Sequence, residues 1–110
     1  MSPQQETRGE VTIFKPTGRL DSASSVGLEQ AVLERVQAGG KRLVFDLSGV
    51  DYISSAGLRV ILLAGKKLQP VEGAVVLCGL RDEVRGVFEM SGFLNLFPVA
   101  SDLEQALAQA

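Results

Sequence analysis

Two short apolar runs on either side of one long apolar segment constrain this chain more than any other feature. Leu43–Leu47 (LVFDL) and Gly73–Cys78 (GAVVLC) are continuous hydrophobic stretches of strand length, the first broken only by Asp46. Runs of that kind belong to inner strands with both faces covered. Between them, Ala56–Leu68 (AGLRVILLAGKKL) is apolar over most of its circumference, which predicts a largely buried helix. Lys66 and Lys67 stand where they complement the negative end of its dipole. Strands alternating with helices from Asp21 onward give an α/β domain with a mixed, largely parallel sheet and about four helices. The right-handed crossover rule limits its topology further.

The outer segments fit the same pattern. Residues 1–9 are polar and read as a frayed segment or an added edge strand; the core spans about residues 10–108 of one domain, 1–110. Glu10–Lys15 (EVTIFK) alternates and reads as a strand that ends at Pro16-Thr17-Gly18. Asp21-Ser22 then starts a helix with Val26, Leu28, Val32, Leu33 and Val36 near the helical period, and Gly39-Gly40 stops it. Arg81–Met90 carries Val84, Val87 and Phe88 on one face and is stopped by Gly92. Leu96–Val99 is a short last strand whose Pro98 points to a sheet edge. Ser101 and Glu104 form a capping-box pattern for a final helix, with Leu103 and Leu107 inward.

Composition removes most enzyme classes. With no histidine among 110 residues, neither a Ser-His-Asp site nor a histidine-ligated metal centre can be built. No GxGxxG, GxxxxGK[ST] or GxSxG is present, so no cofactor is expected. A net charge of −2 gives no support to direct nucleic-acid binding. The apolar stretches are too short for membrane insertion, and MSPQQETRGE lacks the core of a signal peptide, so the cytoplasm is the expected compartment. The lone Cys78 fits a reducing compartment and reads as a small core residue. A balanced surface and small size make a monomer the simplest expectation.

The stretch DYISSAGLR, Asp51–Arg59, ends a short strand in two adjacent serines. On position alone, helix capping is the leading reading, and one serine is enough for it. Ser54 takes that role here, which leaves Ser55 in the first turn with an outward hydroxyl. A helix N-terminus also suits a phosphate, because its N–H groups are free and its dipole is positive. Gly57 then leaves the approach open, and Arg59 stands one turn on to meet added charge. Asp21 reads as the N-cap of the first helix. Asp46 must find donors on its apolar strand and is expected to order the Ser48–Tyr52 loop. Tyr52, if exposed, would be an interface anchor.

Residues 44–68, VFDLSGVDYISSAGLRVILLAGKKL, resemble the signature of STAS domains, named for sulfate transporters and anti-sigma factor antagonists. Gly18–Asp21 (GRLD), Gly73–Leu77 (GAVVL) and Val84–Phe93 (VRGVFEMSGF) are similar to the family's first loop, its strand after the second helix and its third helix with the stop. The resemblance is closer to stand-alone antagonists than to transporter tails. It implies a cytoplasmic regulator of transcription that is no catalyst. Unphosphorylated, it would bind an anti-sigma factor with serine kinase activity and release the sigma factor. That kinase would then phosphorylate Ser55, with Ser54 as the second choice, and end binding; a separate serine phosphatase would reset it. Many members have Asp where this chain has Ser54. The resemblance further implies a partner surface of Asp21, Ser54, Ser55, Ala56, Gly57 and Arg59. Two alternatives stand beside this reading: an accessory STAS subunit of a lipid or anion transporter, and a nucleotide-binding protein or enzyme.

Overall fold

The computed structural model describes residues 4–110. The apolar runs become the middle of a five-stranded sheet in the order β1-β2-β4-β6-β7: Gln4–Arg8, Val11–Lys15, Arg42–Asp46, Ala74–Cys78 and Val99–Ala100. All neighbours pair in parallel except β1 and β2, which are antiparallel. Of the polar N-terminal segment, residues 1–3 lie outside the described residues, and Gln4–Arg8 is thus an edge strand. Its side chains are almost all exposed, and Arg8 reaches Glu104 on the last helix (3.1 Å).

Alternation along β2, β4 and β6 sorts the core into two layers. Phe14, Leu43, Phe45, Val75 and Leu77 face the large layer, against α1 (Ser22–Gln37), α2 (Ser55–Leu68) and α3 (Asp82–Ser91). Ile13, Val44, Val76 and Cys78 face the smaller one, which α4 (Leu103–Gln109) covers with the fully buried Ala106 and half-buried Leu103 and Leu107. Both central strands are therefore covered twice, which is why they read as near-continuous apolar runs.

The first two parallel crossovers each carry an extra short strand before the helix: β3 (Gly18–Leu20) before α1 and β5 (Val50–Ile53) before α2. These two strands pair with each other in parallel, Leu20 opposite Ile53, as a separate two-stranded sheet. The segment Arg19-Leu20, expected as a lead into the helix, is thus part of a strand. Three residues are too few to show alternation, and the pairing is made with a partner far along the chain.

Other departures are local. Val26, expected inside, is 66% exposed, and its neighbour Ser25 is buried in its place. The last strand is only Val99–Ala100, and residues 96–98, which follow a 3-10 turn at Phe93–Asn95, are not part of it; β7 does lie at the sheet edge. The final helix starts one residue later than the expected box. Asp102 is its cap and accepts from the Gln105 N–H (2.9 Å), while Ser101 turns to the Gln105 side chain. Gly92 stops α3 as expected, at φ +79°.

Candidate functional site

The parallel register of β3 and β5 decides where the candidate residues meet. Leu20 and Ile53 are register partners, so the residues that follow them, Asp21 and Ser54, become the N-caps of α1 and α2 side by side. The Leu20 carbonyl joins the two helix starts. It accepts from the Ser54 backbone N–H (2.9 Å) and from the Ser54 hydroxyl (3.2 Å).

Asp21 caps α1 as the sequence predicts. Its Oδ1 accepts from the N–H groups of Ala23 (3.1 Å) and Ser24 (3.0 Å), and the Ser24 hydroxyl takes the Asp21 N–H in return (3.0 Å). The Ser24 N–H, with the Ser24 hydroxyl, holds the Asp21 carboxyl below the usual carboxylate range. That same hydroxyl donates to the Arg19 carbonyl (2.7 Å), which ties the cap back to β3.

Ser54 occupies the N-cap position of α2 but does not cap it. Its backbone is extended, yet its hydroxyl turns away from the helix toward Leu20, and no side chain among the described residues satisfies the first-turn N–H groups. The expected capping role is therefore corrected: a carbonyl across the β3–β5 pair outcompetes the helix for this hydroxyl. Ser55, the first residue of α2, is exposed, and its hydroxyl has no partner among the described residues. A helix start with uncapped N–H groups and a free hydroxyl in its first turn is a seat for an anion built on that oxygen.

Gly57 also departs from its expected role. It is buried, and a Cβ there would lie 2.8 Å from Ile53 Cγ1 and 3.0 Å from Leu20 Cγ. The glycine does not clear an approach from solvent; it lets α2 settle on Leu20 and Ile53. Ala56 is half-buried beside it. Arg59 is exposed one turn beyond Ser55 and forms no ion pair among the described residues. Below the serines, the Arg19 guanidinium lies 4.1 Å from the centroid of the Tyr52 ring, which is 40% exposed. The structure thus gathers Asp21, Ser54, Ser55 and Gly57 at one pair of helix starts.

Two further groups stand apart. Asp46 Oδ1 accepts the Ser48 N–H (3.1 Å) and so shapes the turn after β4, which is shorter than the expected Ser48–Tyr52 loop because Val50–Tyr52 belong to β5. Cys78 is fully buried; burial, then the charges of Asp46 and Asp102, push its thiol up to about 12. It remains protonated at neutral pH and cannot act as a nucleophile. Among the described residues, no cluster of three or more metal-ligating side chains occurs and no helix is long and apolar enough to cross a membrane.

Sequence reasoning missed Leu20, whose carbonyl and side chain organise both helix starts. The available signal was an apolar residue directly before a capping Asp.

The family profile described as STAS domain matches residues 2–106. BtrV of Bordetella bronchiseptica, whose name places it among anti-sigma factor antagonists, is 52% identical over 91 residues, 83% of this chain and 78% of that protein. The crystal structure of an anti-sigma factor antagonist from Mycobacterium paratuberculosis superposes with a TM-score of 0.90 at 26% identity, covering 98% of this chain and 92% of the other. SpoIIAA of Bacillus shares the fold at lower identity in both of its solved states. The unphosphorylated form gives a TM-score of 0.79 at 16% identity, covering 98% of this chain and 96% of the other. The phosphorylated form gives 0.78 at 20%, covering 98% of each chain.

Proposed function

The chain belongs to the STAS domain family, and from that premise we propose that it is an anti-sigma factor antagonist controlled by phosphorylation of Ser55. In the unphosphorylated state it binds an anti-sigma factor with serine kinase activity, and the sigma factor is released. The kinase moves the γ-phosphoryl group of ATP to Ser55 Oγ, giving phosphoserine and ADP while the hydroxyl proton leaves to a base on the kinase. Binding is then lost, and a separate serine phosphatase restores the hydroxyl.

The observation that carries this reading is the different fate of two adjacent serines. Ser54 is held by its hydrogen bond to Leu20, whereas Ser55 is exposed with its oxygen free. A phosphate on Ser55 adds about −1.5 to −2 charge at the centre of the contact. The uncapped first turn of α2 and the exposed Arg59 accept that charge locally. The helix has no disorder to lose, so the block on binding comes from charge and bulk rather than refolding. Ala56 follows the acceptor, Arg59 is exposed one turn on, Asp21 caps the neighbouring helix start, and Tyr52, steadied by Arg19, offers an aromatic contact at the margin.

Mass spectrometry after incubation with the kinase and ATP tests the assignment. Phosphate is expected on Ser55, and Ser55→Ala should bind the kinase without being modified. Phosphate on Ser54 would overturn the register.

A further inference from the structure

The second turn of α1 inverts the pattern that a surface helix should show. Leu28 and Val32 are buried, as their spacing requires, but in the turn before them the inward position is Ser25, 4% exposed, with a hydroxyl that has no partner among the described residues. The outward position is Val26, 66% exposed. Stability alone favours the opposite arrangement. A buried hydroxyl without a hydrogen bond is unfavourable, and a β-branched side chain in water lowers helix propensity while burying little. The buried Ser25 hydroxyl is the informative exception to the usual partition.

We propose that Val26 is a docking anchor, received by an apolar pocket on the serine kinase that modifies Ser55. This deepens the function proposed above and rests on it. The position is continuous with that contact. The two helices start together at the Leu20–Ser54 bond, and helices packed side by side lie about 8–10 Å apart. Val26 is one turn beyond Ser22, about 6 Å along the axis. A standard interface covers about 800 Å² per partner, a disc of roughly 16 Å radius. Centred on Ser55, it takes in the exposed second turn of α1.

Charge supports the same occupant. No charged residue occurs between Asp21 and Glu29, and the exposed neighbours Ser22, Ala23 and Ser24 are small. A partner can approach closely there without desolvating a charge, while Asp21 and Arg59 supply polar contacts around it.

Calorimetric titration of the full chain into an ADP-loaded anti-sigma serine kinase from the same genome reads docking, and phosphorylation at limiting substrate reads kcat/KM. Val26→Asp and Val26→Ser should each raise Kd at least about tenfold, as loss of an anchor does. They should lower kcat/KM in step and leave the thermal midpoint near that of the wild type. Ser25→Ala, which removes the unpaired hydroxyl, should raise the midpoint and leave Kd unchanged. A folded Val26→Asp chain with Kd within about twofold of wild type would overturn the anchor and leave the Ser55 assignment standing. A wild-type chain that no such kinase binds or phosphorylates would overturn both.

Discussion

Alanine at two helical glycines should have opposite effects, and the difference is set by what a single Cβ would touch. At Gly57 the added carbon would sit 2.8 Å from Ile53 Cγ1, 3.0 Å from Leu20 Cγ and 3.1 Å from Leu20 Cδ2. Both neighbours are 2% exposed, so neither can swing into solvent. Overpacking of that kind costs about 1–3 kcal/mol. Better helix propensity returns at most about 1 kcal/mol, so Gly57→Ala should lose about 1–2 kcal/mol net. For a chain of this size that is a fall of roughly 4–8 °C in Tm. At Gly86, in the middle of α3, nothing lies within 4 Å of the added Cβ. There the propensity gain stands alone, and Tm should rise by a few degrees. Thermal unfolding by circular dichroism gives both signs in one experiment. Phosphorylation kinetics give a second readout, because a first turn pushed off Leu20 and Ile53 misplaces Ser55; kcat/KM should fall for Gly57→Ala and stay unchanged for Gly86→Ala. Equal stabilisation by both alanines would refute the claim that Gly57 seats α2.

Ser54→Ala removes one of two hydrogen bonds to the Leu20 carbonyl and leaves the Ser54 N–H in place, so the loss should be no more than about 1 kcal/mol by denaturant titration. Phosphate should still be found on Ser55. Ser55→Asp carries about one negative charge where phosphoserine carries nearly two; it should weaken kinase binding partially with Tm near wild type, and full-strength binding would contradict the electrostatic block. The Asp21 carboxyl is held below its unfolded value, so its contribution to stability is present above that value and lost only as pH falls through the folded one. Asp21→Asn should therefore flatten the acid limb of the Tm profile below about pH 5. Cys78 should resist thiol reagents in the native state and react on unfolding; rapid native labelling would contradict its burial.

The parallel sheet and its buried helix were legible because strands covered on both faces must be apolar throughout, and LVFDL and GAVVLC are. Caps made by local chemistry were legible too: Asp21 with its helix, Gly92 after its own. The Asp102 cap lay one residue from the expected box because Ser101 and Asp102 are both competent, and only tertiary placement chooses between them. The roles of Ser54 and Gly57 were hidden for a related reason. Each depends on Leu20, more than thirty positions upstream, and nothing local reports that contact. Val26 lies two residues, about 200° of helix, before Leu28, so strict use of the helical period puts it on the outer face; grouping it with Leu28 and Val32 by hydrophobicity alone hid that.

The joint between the two crossovers bears on folding as well as on recognition. The bond from Ser54 to Leu20 spans 34 residues, and the pairing of β3 with β5 closes only when both crossovers lie in place. Contacts of such long sequence separation form late, after the loop entropy between them has been spent. A local phosphorylation motif would be accessible on a nascent or unfolded chain. Here the helix start that presents Ser55 is assembled from two distant segments, so the acceptor geometry exists only in completed molecules. A kinase that requires this geometry leaves unfinished copies unmodified, and the pool it reads is the folded one.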